Sequence, residues 1–155
     1  MEPIGVIRSP FTTLANMPVQ PRGAADIEGR VIVDQAYEEG LADLDGFSHL
    51  YLIYRFHRAV RTELKVVPFM DDRQRGVFST RSPLRPNHIG LSVVELIRVE
   101  ANSLFVRGVD ILDETPLLDI KPYIDLFDRV SGSRSGWLKA DAREVAKTRS
   151  DSRFT

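Results

Sequence analysis

The stretch GVFSTRSPLRPNHIGLS, Gly76 to Ser92, concentrates residue types that can bind an anionic or polar ligand. Arg81 stands two residues before Pro83, and Arg85 directly precedes Pro86. Each proline fixes its own φ and pushes the preceding residue toward extended geometry. A loop built this way has little entropy to lose, so it can present guanidinium groups and backbone donors already in place. Ser79, Thr80, Ser82 and Asn87 add short polar side chains. Gly90 permits either a positive φ or a close approach of another group to the backbone. A rigid surface turn accounts for Arg85-Pro86-Asn87 alone; the whole string reads as a binding loop.

Other chemistries lack their residues. The chain has no cysteine, which excludes disulfides, thiol nucleophiles and thiolate metal sites. His49, His57 and His88 have neither HExxH nor HxH spacing, so no metal is expected. Neither common nucleotide loop is present, and no serine has a GxSxG setting. The net charge of -1 gives no overall attraction to polyanions. Charge is unevenly spread, however. Arg55 to Gly90 carries eight basic residues against three acidic, and Arg134 to Arg153 carries six against three. These residues form either a surface for a phosphate backbone or interleaved solvated faces.

The elements that must position these residues are mostly strands. Phe47 to His57 alternates with period two: Leu50, Leu52, Tyr54 and Phe56 on one face, His49, Tyr51, Ile53, Arg55 and His57 on the other. Ile4 to Ile7 and Arg30 to Asp34 read as strands, and Thr62 to Pro68 and Val77 to Thr80 as extended pieces. Leu91 to Glu100 and Leu104 to Leu112 read as a hairpin turning at Ala101-Asn102-Ser103. Gln35 to Leu44 reads as a short helix and Ser135 to Thr148 as a C-terminal helix, with Trp137 packing that helix onto the sheet. Thr12 to Gly29 is a long irregular connection, and Asp113 to Tyr123 is a second proline-punctuated stretch. Strands do not alternate with helices, which predicts a mainly β protein, an antiparallel barrel. We expect one domain over 1–155 with a helical, basic tail from about 139. The N-terminus does not read as a signal peptide, and no apolar run approaches the roughly 18 residues of a membrane span. A cytoplasmic protein is expected.

The 76–92 stretch resembles the signature of the TsaA-like or TrmO family, whose pattern is close to GVFATRSPxRPNPIGLS. Further blocks agree in family order: Ile4 to Phe11, Leu44 to His57 (LDGFSHLYLIYRFH), Asp113 to Tyr123 (DETPLLDIKPY), and Asp128 with Ser135-Gly136-Trp137. The resemblance covers nearly the whole chain. It implies an S-adenosylmethionine-binding β-barrel that forms a homodimer with the cofactor near the interface. It further implies methylation of tRNA in the anticodon loop, at N6 of threonylcarbamoyladenosine 37.

Carried over by position, the resemblance places the cofactor on Pro18, Val19, Gln20, His57, Arg58, Arg81 and Leu91, and on Asp113, Glu114, Thr115 and Pro116. Arg81 would take the cofactor carboxylate or orient the loop, Asp113 the ribose or amino group, and Leu91 the adenine. His57 is the candidate catalytic base, since histidine titrates near neutrality, or it only lines the pocket. Arg85, Asn87, Asp119 and Lys121 are candidates for substrate or loop contacts. Arg85 alternatively bonds carbonyls of its own loop, and Asp119 and Lys121 pair with neighbours. Tyr51 and Tyr54 read as packing. Three positions depart from the family pattern: His88 stands for proline, which predicts a less rigid loop; Glu114 stands for glycine, unfavourable if φ is positive there; Val19 stands for arginine.

Overall fold

The computed structural model describes residues 1–154. Six strands, β1 (Gly5–Arg8), β2 (Glu28–Val33), β3 (His49–Arg55), β6 (Ile89–Glu100), β7 (Ser103–Arg107) and β8 (Thr115–Pro122), close into an antiparallel barrel of order β1-β2-β7-β6-β3-β8. Two further pieces, β4 (Lys65–Val66) and β5 (Arg75–Gly76), pair as a separate ribbon. The mainly β barrel is the expected class. Closure leaves the main barrel no edge strand to protect.

The period-two pattern of β3 predicts its burial. Leu50, Leu52 and Tyr54 point inward and meet Ile7, Val31, Val33, Val94, Leu104, Val106 and Leu117 in one core. Burying such side chains fully contributes about 1.5–3 kcal/mol each. β3 pairs on both sides, with β6 (Leu52↔Ser92, Tyr54↔Gly90) and with β8 (Leu52↔Ile120).

Several expected elements differ, each for a local reason. Asp113 to Tyr123 contains a core strand, β8, despite its prolines. Each proline sits where the ladder is one-sided: Pro116 lies opposite Val6 only, and Pro122 opposite Leu50 only. A missing N–H is tolerated there. β7 stops at Arg107 instead of Leu112, because Gly108 takes φ +87° and turns the chain out of the sheet. Val77–Ser79 is a 3-10 turn instead of an extended piece. The Ser79 hydroxyl donates to the Gly76 carbonyl (2.8 Å) and the Thr80 hydroxyl to the Val77 carbonyl (2.8 Å). Gln35–Leu41 is likewise 3-10.

The C-terminal helix is shorter than expected. A single turn, α1 (Asp125–Asp128), precedes it, and the helix itself, α2, covers Ala142–Lys147. Gly136 at φ +59° interrupts the earlier segment, and Asp141 caps α2 in a reciprocal capping box with Glu144. Trp137 therefore lies ahead of the helix. Its indole N–H donates to the Ser79 carbonyl (2.8 Å), with the Arg75 guanidinium over its ring at 5.7 Å. Beyond α2 the chain returns to the 14–22 segment: Pro18 bridges Arg149, Ser150 N donates to the Met17 carbonyl (2.8 Å), and Met17 N donates to Ser150 Oγ (2.8 Å). The irregular connection is thus held by the tail. Among the described residues no helix is long and apolar enough to cross a membrane.

Candidate functional site

A cavity of about 900 Å³ lies where the end of β3, the start of β6, the 77–88 loop, the 14–22 segment and the tail meet. Its wall is predominantly apolar, with Met17, Phe56, Phe78 and Leu91 among the contributors. The Gly76–Ser92 stretch supplies one side of it. Gly90 is required there by close approach: a Cβ at this position would run into the Tyr54 ring.

Several predicted residues are brought together. Pro18, Val19, Gln20, His57, Arg58, Arg81, Leu91 and Thr115 all line the cavity. Arg81 Nη1 donates to Gln20 Oε1 (3.1 Å), joining the binding loop to the 14–22 segment. His57 Nδ1 lies 3.3 Å from Thr115 Oγ1. The Thr115 hydroxyl spends its only proton on the Leu112 carbonyl (2.7 Å). His57 Nδ1 must therefore be the donor in that pair, which leaves Nε2 with a lone pair. Burial, then the nearby Arg58 and Arg55, lower the His57 pKa, with Glu114 opposing. These effects favour the neutral ring.

Others fall outside the cavity wall. Asp113 accepts from Arg8 Nε (3.1 Å) and Ser9 N (3.0 Å). Glu114 is exposed at φ +62° and meets Arg8 Nη1 at 3.2 Å. Pro116 lies in β8 opposite Val6. Asp119 and Lys121 pair with each other at 3.3 Å on an exposed stretch of β8, and Asn87 is exposed. Arg85 lines the cavity while donating to the Thr80 (3.3 Å) and Val77 (3.4 Å) carbonyls, so it braces its own loop. His88 does not loosen that loop. It takes φ +49°, its N–H donates to the Arg85 carbonyl (3.0 Å), and its Nδ1 donates to the Pro83 carbonyl (2.9 Å). A proline could supply neither that φ nor that N–H.

One polar chain escaped the sequence reading. Tyr54 OH lies 3.1 Å from Ser92 Oγ, and Ser92 Oγ donates to Asp110 Oδ1 at 2.7 Å. Tyr54 and Ser92 are buried, and Asp110 borders the cavity. Burial pushes the Tyr54 phenol well up and raises the Asp110 carboxyl to about 6, against the lowering pull of the Ser92 hydrogen bond. The available signal was one acid inside the apolar run Val109-Asp110-Ile111-Leu112.

The model of the tRNA-methyltransferase O N-terminal domain matches residues 6–129. A probable S-adenosyl-L-methionine-binding protein of Pyrococcus abyssi is 51% identical over 152 residues, which cover 98% of this chain and 83% of that protein. A tRNA (adenine(37)-N6)-methyltransferase of Mus musculus is 39% identical over 134 residues, 82% of this chain and 31% of the mouse protein. The crystal structure of TrmO from Pseudomonas aeruginosa superposes with a TM-score of 0.74 at 39% identity, covering 88% of this chain and 61% of that one. This chain thus spans under two thirds of that solved TrmO chain and under one third of the mouse methyltransferase.

Proposed function

The chain belongs to the tRNA-methyltransferase O family, and from that premise we propose that it is an S-adenosylmethionine-dependent methyltransferase acting on N6 of an adenosine in tRNA. We place the target at threonylcarbamoyladenosine 37, in the anticodon loop, and the work in the cytoplasm. The observation that carries this reading is the cavity built on the 76–92 loop.

The residues present fit the cofactor. The volume of about 900 Å³ lies within the ~300–1,000 Å³ usual for small-molecule sites. Apolar walls suit an adenine, and one border offers both a guanidinium, Arg81, and a carboxylate, Asp110. Arg81, already steered by Gln20, would hold the cofactor carboxylate, and Leu91 would pack on the purine. Of the Asp113 to Pro116 block, Thr115 reaches the wall and sets the His57 tautomer. S-adenosylmethionine supplies a methyl carbon already activated by its sulfonium. The protein's part is positioning and exclusion of water. His57 Nε2 is the acceptor for the proton that leaves N6. Arg22 and Arg58, exposed at the cavity, suit tRNA phosphates. The active form is proposed to be a homodimer with the cofactor near the interface.

A second reading is a cofactor-binding barrel without this catalysis. It is favoured by the Pyrococcus abyssi relative, matched along most of its length and called only a binding protein. One experiment separates them. The purified protein is incubated with S-adenosylmethionine and tRNA with or without the threonylcarbamoyl group, and the nucleosides are resolved by mass spectrometry. A single methyl gained only on the threonylcarbamoylated nucleoside is the expected result. Methylation of the plain adenosine would move the target, and cofactor binding with no methyl transfer would install the second reading.

A further inference from the structure

We infer that Asp110, held by Ser92 and Tyr54, is the anionic subsite that receives a positively charged centre of the sulfonium cofactor. The inference rests on the cofactor reading above and goes beyond it, since it assigns a binding role to a carboxylate outside the motif blocks.

Three observations carry it. First, the carboxylate has hydrogen-bond donors but no cation: Ser92 donates to Oδ1, its own backbone amide is the other donor, no described lysine or arginine forms an ion pair with it, and the residue borders the cavity. Second, the group is oriented from below. Tyr54 OH adjoins Ser92 Oγ at 3.1 Å, and the Tyr54 ring rests on Gly90, where no Cβ fits. The Ser92 hydrogen bond thus orients the aspartate before any ligand arrives, which lowers the entropic cost of binding. Third, the surroundings are apolar and desolvating. An unpaired carboxylate is disfavoured there, so a cationic partner gains more than it would in water.

The charges facing the site are complementary to a ligand with separated ends. Arg81 enters from the 77–88 loop, and its guanidinium draws on the Asp110 carboxylate. Tyr54 faces it from β3 and is not ionised near neutrality. Further around the wall stand His57, Arg58 and Arg22, with Asp151 from the tail. A ligand carboxylate at Arg81 and a cationic centre at Asp110 satisfy both signs. Two cationic centres are available in S-adenosylmethionine, the sulfonium and the α-ammonium. Because the Asp110 carboxyl is raised to about 6, ligand binding should strengthen as pH rises through that value. Burial, with Arg58 and Arg55, depresses the His57 pKa below its ordinary 6.5, so this ring also sheds its charge on the acid side of neutrality.

The test is isothermal titration calorimetry on the whole protein and on Asp110→Asn, with three ligands at pH 7.5. S-adenosylmethionine has both cationic centres, S-adenosylhomocysteine only the ammonium, and methylthioadenosine neither. Asparagine keeps the acceptor for Ser92, and circular dichroism checks the fold. The expected result is a loss of about tenfold or more for S-adenosylmethionine, with methylthioadenosine changed by less than about twofold. A parallel loss for S-adenosylhomocysteine assigns the ammonium; its sparing assigns the sulfonium. An unchanged S-adenosylmethionine affinity, or an equal loss for all three ligands, overturns the inference and leaves the cofactor reading standing. No binding of any of the three to the unaltered protein overturns both.

Discussion

Glu114 stands at φ +62°, in the left-handed region that disfavours a residue with a Cβ by about 1–2 kcal/mol. Its side chain recovers part of this through Arg8 at 3.2 Å, an exposed pair worth ~0–1 kcal/mol. Glu114→Gly is therefore expected to raise stability by roughly 0.5–1 kcal/mol in urea unfolding. A lower midpoint would mean that the ion pair outweighs the strain. Asp110 carries the opposite kind of cost. Its folded pKa of about 6 lies above its ordinary 3.8, so between those values the folded state holds more protons than the unfolded one. Stability then falls as pH rises from 3.8 through 6. Asp110→Asn should raise the unfolding free energy at pH 7.5, by on the order of 3 kcal/mol at most, with a higher thermal midpoint and a flatter pH dependence. A variant less stable than the parent at pH 7.5 would refute this account of the carboxylate.

The start of β6 is the element on which the site depends. It brings Gly90 opposite Tyr54 and Ser92 opposite Leu52. Gly90→Ala places a methyl where the Tyr54 ring lies. Overpacking of this kind costs about 1–3 kcal/mol. The ring must shift, so the Tyr54–Ser92 contact should break as well. Urea unfolding gives the first quantity, and the near-ultraviolet tyrosine signal reports the second. A stable variant with an unaltered signal would show that the ring is not held by this strand. The 77–88 loop is braced by its own members, Arg85 on Val77 and Thr80 and His88 on Pro83, which is why it can border a cavity without a strand beneath it.

At the scale of the molecule, apolar surface is concentrated around α1. Leu126 (86%), Phe127 (73%) and Val130 (71%) are exposed within five residues of one another. A cluster of this kind, next to the Tyr51–Tyr123 ring pair at 5.8 Å, has the character of an interface. If it joins the proposed homodimer, light scattering will give twice the chain mass for the parent and one chain mass for Phe127→Asp. A parent that is monomeric at high micromolar concentration would remove the dimer from the proposal. The tail acts at the same scale. Ser150 on Met17, Trp137 on Ser79, and Arg153 on the Pro68 carbonyl (2.7 Å) tie it around the cavity, which therefore exists only in the assembled chain.

Periodicity and local punctuation were enough to read β3, β1, β2 and the β6–β7 hairpin, since alternation and turn residues act within a few positions. The family blocks were legible in the same way, as contiguous strings. Placement across the barrel was not. β8 was obscured by Pro116 and Pro122, whose tolerance depends on which neighbours each lacks. Asp113 and Asp110 lie three residues apart, yet Gly108 and the turn that follows it send one to Arg8 and the other to the cavity. The His57 tautomer depended on where Thr115 spends its proton, 58 residues away. By itself the sequence determined β1, β2, β3, the β6–β7 hairpin and the family; the packing of loop, tail and barrel decided which polar groups share the cavity, because burial and hydrogen-bond partners are properties of distant segments brought together.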